Sequence, residues 1–163
     1  MDKTVPAGAA LLLDFTRLIE TGKTDRSSYD VIYGHNEGKI SKKVTSMTID
    51  ELSAIQPTFT KRFKAAAAGG YQFMRNTLSD LKTELRLRGS QIMDPDLQDR
   101  LGYHLAIRPG YNEFIAGKIS RTEFGRSLAQ EWASLPVLAP TKGASRASPR
   151  VAPFYAADKL HKA

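Results

Sequence analysis

A glutamate stands where an apolar helix should end. Leu11, Leu12, Leu13, Phe15, Leu18 and Ile19 lead into Glu20. The last turn of a helix is the negative end of its dipole, which disfavours a carboxylate there. Apolar neighbours add desolvation, and both effects raise a carboxyl pKa. A carboxyl that keeps its proton near neutral pH can protonate the leaving oxygen of a glycosidic bond. The plain alternative is a solvated surface glutamate.

Glycoside cleavage commonly uses a second carboxylate. A separation of ~5 Å implies a covalent route and ~6.5–9.5 Å an activated water. Asp25 and Asp30 are the candidates. Asp25 equally suits turn chemistry, and Asp30 equally suits a hydrogen bond to backbone. If neither faces the scissile bond, the sugar's own hydroxyl can attack and leave an anhydro end. Tyr29, Asp30 and Tyr33 sit in an aromatic segment, Tyr29-Asp30-Val31-Ile32-Tyr33-Gly34-His35, that follows the helix after one short loop. Farther on, Gly69-Gly70 permits close approach of backbone to a ligand. Tyr71 offers a flat face for a sugar ring, and Gln72 an amide that both donates and accepts. Trp132 suits either a sugar cleft or the core at the end of a helix stripe.

The elements that must position these groups are legible in outline. A first helix is expected over residues 6–20, with Leu11, Phe15, Leu18 and Ile19 on one face and Gly22 as its cap. The run 29–33 is β-branched and aromatic, Gly34, Asn36 and Gly38 supply turn chemistry, and residues 39–45 can return as a second strand. Helices fill the remainder. Thr48-Ile49-Asp50-Glu51 and Ser120-Arg121-Thr122-Glu123 have the form of capping boxes. Pro57 is expected to stop the first of these helices. Met74, Leu78, Leu81 and Leu85 form one helical stripe, and Asp94-Pro95 opens another helix, lined by Leu97, Leu101 and Leu105. Residues 136–153 read as a loop rich in Pro, Ser, Ala and basic side chains, with a short helix over 154–162. The expected class is α+β with segregated strands.

The chain has 163 residues, 41% hydrophobic and 25% charged, which fits one folded domain. Its 24 Lys and Arg outnumber 17 Asp and Glu, a net charge of +7. That balance favours a polyanionic partner. The charge is dispersed, with clusters at Lys61, Arg62, Lys64 and at Arg86, Arg88. One basic-aromatic cluster, Arg62 with Phe59 and Phe63, is weak support for nucleic acid. No cysteine is present, so disulfides and thiolate metal sites are excluded. His35, His104 and His161 lack metal-ligand spacing, and no phosphate loop or serine elbow occurs. No cofactor or metal is expected. The N-terminal stretch lacks a secretory pattern and no run is long enough to span a membrane. The protein is therefore expected to be made in the cytoplasm, without stable membrane insertion.

Four segments occur in order: Ile19-Glu20-Thr21-Gly22, Tyr29-Asp30-Val31-Ile32-Tyr33-Gly34, Ala68-Gly69-Gly70-Tyr71-Gln72 and Trp132-Ala133-Ser134-Leu135-Pro136. Together they resemble the bacteriophage lambda endolysin family of lysozyme-like enzymes that cut peptidoglycan. The resemblance implies a mostly helical, two-lobed fold in a single domain: a small β-sheet lobe over about 29–45, a helical lobe over about 46–136, and a loop with a terminal helix over 137–163. It implies Glu20 as catalytic acid, with Tyr29, Asp30, Tyr33, Tyr71 and Gln72 against the glycan. It also implies a lytic transglycosylase with one essential glutamate, acting as a monomer on peptidoglycan strands, and not on nucleic acid, in the periplasm after release. Two departures, a shorter loop after Glu20 and Gly70 where an arginine is common, leave open whether water or a sugar hydroxyl attacks. A hydrolytic muramidase with a second carboxylate, and a non-enzymatic basic module binding cell wall or DNA, are the alternatives.

Overall fold

The computed structural model describes residues 1–138. Six helices carry the architecture: α1 (Ala7–Thr21), α2 (Ile49–Phe63), α3 (Arg75–Glu84), α4 (Pro95–Ile107), α5 (Tyr111–Ile115) and α6 (Arg121–Glu131). Helix α4 packs against α1, α5 and α6, while α2 packs against α3. One continuous apolar cluster runs through both groupings, from Ala9 and Leu13 through Leu52, Phe59 and Leu81 to Leu101, Phe124 and Leu128. The expected terminal helix over 154–162, and the loop from residue 139 onward, lie outside the described residues.

Several helix ends follow local chemistry. Thr48 and Ser120 each accept a hydrogen bond from the third helical residue, and Glu51 and Glu123 return the bond, so both capping boxes form. Asp94 caps α4 through the Leu97 amide, with Pro95 in its first turn. Gly22 ends α1 at φ 69°, its amide donating to the Leu18 carbonyl. Pro57, in contrast, does not stop α2, which continues through it to Phe63.

The expected sheet lobe does not exist, and the α+β class is corrected accordingly. Among the described residues there is no strand, only isolated bridges such as Ile32 with Ala68 and Ala68 with Phe73. Between α1 and α2 the chain forms three short 3-10 turns, Arg26–Asp30, Glu37–Lys39 and Val44–Ser46. Carboxylates supply the hydrogen bonds a strand partner would have made. Asp25 accepts from the Ser27 amide at 2.7 Å, Asp30 from the Thr45 amide at 2.8 Å, and Glu37 from the Ile32 amide at 3.4 Å. Such local side-chain bonds compete directly with a ladder. The β-branched and aromatic residues of 29–33 are there to be buried: Tyr29, Val31 and Ile32 are each 5% exposed or less.

The buried face of α1 also differs from the expected stripe. It holds Ala9, Leu13, Thr16, Arg17 and Thr21. Leu11 is exposed, and with Leu12 and Phe15 it borders an open apolar groove of about 340 Å³ shared with α5 and α6. The polar stripe turns inward because α4 presents a buried aspartate to Arg17.

Candidate active site

Glu20 occupies the final turn of α1, a turn that carries no basic residue. Its side chain is half-buried. Burial pushes the carboxyl above the ordinary glutamate value, and a hydrogen bond from Ser134 draws it partly back. The Ser134 hydroxyl donates to Oε1 of Glu20. Among the described residues nothing hydrogen-bonds Oε2, and no Lys, Arg or His pairs with the carboxyl. Among the described residues the group is thus desolvated, uncompensated by a cation, and bonded at one oxygen only.

Ser134 reaches Glu20 because the segment after α6 is anchored twice. Trp132, 5% exposed, continues the hydrogen bonding of α6 to the Leu128 carbonyl at 2.8 Å and donates its indole N–H to the Tyr71 carbonyl at 3.2 Å. The Leu135 amide then closes a turn onto the Trp132 carbonyl at 2.9 Å. Trp132 is accordingly a core side chain whose polar edge ties this turn to the 69–72 segment.

That segment is a tight turn. Ala68 and Phe73 exchange backbone hydrogen bonds across it, at 3.2 and 2.8 Å. Gly69 has φ 82°, and a Cβ there would lie 2.5 Å from Oε1 of Gln98. The paired glycines therefore let the backbone approach a protein side chain, and the Gly70 amide donates to that same Oε1 at 2.9 Å. Gln98 is fully buried, and its Nε2 donates to the Tyr29 and Met93 carbonyls. Gln72, half-buried, donates to the Val31 and Gly69 carbonyls.

Behind this turn lies a polar cluster centred on Asp99. Its Oδ1 accepts from the Tyr29 hydroxyl at 2.8 Å and the Tyr71 hydroxyl at 2.6 Å, and its Oδ2 from the Asp2 amide at 2.8 Å. Arg17 lies 3.7 Å from Oδ1 and donates to the Tyr29 hydroxyl and to Asp14. Burial, reinforced by the Asp99 charge, holds the Tyr71 phenol far above its ordinary range; burial and the Asp99 hydrogen bond do the same for Tyr29. Both hydroxyls remain donors.

The six anticipated site residues therefore fall into separate environments. Tyr29 and Tyr71 are 5% and 1% exposed and turn their hydroxyls inward, so neither shows an open ring face. Asp30 braces residue 45, and Gln72 braces the turn in which it sits. Tyr33 is 47% exposed and keeps a free face. Asp25 is fully exposed and its hydrogen bonds to Ser27 hold it below the usual carboxylate range. Sequence reasoning gave Ser134 no role. The open apolar groove beside α1 is formed elsewhere and has no Glu20 in its wall.

A family model described as Endolysin matches residues 11–158, a span that takes in Glu20, the 69–72 turn and Ser134. The chain belongs to the endolysin family. Its function is therefore the degradation of peptidoglycan during release of phage from the host cell, and it is a cell-wall-degrading enzyme. No curated protein and no solved structure matches the chain. Among the described residues no helix is long and apolar enough to cross a membrane.

Proposed function

We propose that this endolysin cleaves the glycan bond between N-acetylmuramic acid and N-acetylglucosamine, as a lytic transglycosylase with Glu20 as its general acid. The observation that carries the reading is the state of Glu20: desolvated and, among the described residues, paired with no cation and bonded at Oε1 alone. A carboxyl in that state retains a proton to give. Glu20 protonates the glycosidic oxygen as the bond to the muramyl anomeric carbon breaks. The resulting carboxylate then takes the proton of the muramyl 6-hydroxyl as that oxygen closes on the same carbon. No water is consumed, and the product carries a 1,6-anhydro end.

The carboxylates of the segment between α1 and α2 support the intramolecular route over hydrolysis. Asp25 and Asp30 are engaged by backbone amides, and Glu37 pairs with Lys23 at 3.1 Å while accepting from the Ile32 amide. Each of the three has a structural task, which suits a mechanism with one catalytic carboxyl. Tyr33 is the aromatic best suited to meet the glycan. Tyr29, Asp30, Tyr71 and Gln72 act by holding the 69–72 turn and the segment before α2 in place. The net charge of +7 suits an anionic wall polymer.

Mass spectrometry of muropeptides released from purified sacculi tests the chemistry. Anhydro ends are expected; reducing ends would establish hydrolysis instead. Full activity of Glu20→Gln, with fold retained, would overturn the assignment of the acid.

A further inference from the structure

We infer that Ser134 is a positioning residue for the Glu20 acid: its hydroxyl holds Oε1, leaves Oε2 to carry the transferable proton, and stabilises the carboxylate formed when that proton departs. The inference rests on the reading of Glu20 given above.

Three observations carry it. First, Ser134 provides the one hydrogen bond to the Glu20 carboxyl among the described residues. An acid bound at one oxygen has a defined orientation, and the oxygen that accepts from a hydroxyl is the one that does not bear the proton. Second, the hydroxyl is placed by buried anchors. Trp132 and Leu135, each 5% exposed, flank the turn, and the Trp132 indole fixes it to the Tyr71 carbonyl. That construction is more than a surface serine needs. Third, the donor is neutral. A lysine or arginine at this place would hold the carboxyl ionised and remove its proton at working pH. A hydroxyl binds weakly to a neutral carboxyl and more strongly to a carboxylate.

The third point makes the contact a source of catalysis. As Glu20 gives up its proton, the bond from Ser134 gains strength, so it stabilises the transition state more than the ground state. The same hydroxyl moderates the upward push of burial on the Glu20 carboxyl. Removing it leaves an acid that holds its proton to higher pH but transfers it less readily.

The experiment measures kcat and KM on soluble glycan strands from peptidoglycan, across pH, for wild type, Ser134→Ala, Ser134→Thr and Glu20→Gln. Thermal melting confirms that each folds. Ser134→Ala is expected to lower kcat about tenfold with KM little changed. Its alkaline limb, set by loss of the Glu20 proton, moves to higher pH. Ser134→Thr, which keeps the hydroxyl, restores both rate and limb. A Ser134→Ala enzyme with wild-type kcat and limb overturns the inference, as does one whose rate falls while the limb stays fixed and threonine fails to rescue. If those results accompany an inactive Glu20→Gln, the acid assignment stands and the serine role alone is lost. An active Glu20→Gln removes both.

Discussion

Two carboxyl groups lie below the surface of this protein, one on the last turn of α1 and one facing Arg17 of α1, and their surroundings are opposite. Asp99 is wholly buried and surrounded by donors: two phenols, a backbone amide, and Arg17 at 3.7 Å. Glu20 is half-buried and has one neutral donor on one oxygen. A buried charge is tolerated when hydrogen bonds and counter-charge replace its lost water. Asp99 has that replacement and organises four segments of the chain around itself. Among the described residues Glu20 lacks it, and under the proposed mechanism that shortage leaves it a proton to donate. The difference between a structural anion and an acid here lies in the number and charge of the donors, not in the functional group.

The largest expected break of this contrast is chemical. Glu20→Gln should reduce lytic activity about 10³-fold, the scale of a general acid, while the unfolding transition stays cooperative; turbidity clearance of permeabilised cells reads it. The corresponding change at the other site should act on folding. Asp99→Asn removes the buried counter-charge of Arg17, which keeps Asp14 and the Tyr29 hydroxyl, and should cost about 3 kcal/mol in urea unfolding. If Asp99→Asn instead left stability intact and abolished activity, the division of roles would be wrong.

Smaller changes sharpen the comparison. Gly69→Ala strains a φ of 82° and drives a Cβ toward Gln98, with an expected loss of about 2–3 kcal/mol by the same assay. Tyr71→Phe removes one of two phenols from Asp99 Oδ1 but keeps the carbonyl that Trp132 uses. It should cost about 1 kcal/mol and leave turnover within about threefold. The smallest effect is a pH signature. Because the folded Glu20 pKa is raised, the folded state retains a proton that the unfolded chain releases, so stability is lost as pH rises from the ordinary value of 4.5 through the raised one. Glu20→Gln should therefore melt above wild type near neutrality, by about one or two degrees, with the gap closing below pH 4.5. A gap that persists in acid would mean that the gain is not electrostatic.

The sequence revealed what local chemistry decides. The caps at Gly22, Thr48, Asp94 and Ser120 depend on residues within one turn, and each formed where the residue types placed it. Pro57 lies inside α2 although a proline considered alone predicts a stop, because a proline signal carries no information on the packing around it. The segment 29–45 looked like strands because propensity measures side-chain type. What displaced the ladder was three carboxylates bonding to particular amides, one of them fifteen residues away. Arg17 and Thr16 could not be assigned to the interior without knowing that Asp99 would meet them. Glu20 stood out through its position at a helix end and through family likeness. Ser134 did not, since its partner is 114 residues distant and no short-range pattern marks it.

That distance also sets an order of events during synthesis. Glu20 leaves the ribosome early, while the hydroxyl that steadies it belongs to one of the last portions of the described fold to be translated. If Glu20 is the acid proposed above, a nascent chain bearing the glutamate alone carries it poorly aligned, and wall-cutting competence is withheld until translation has passed Ser134 and the segment after α6 has met the end of α1.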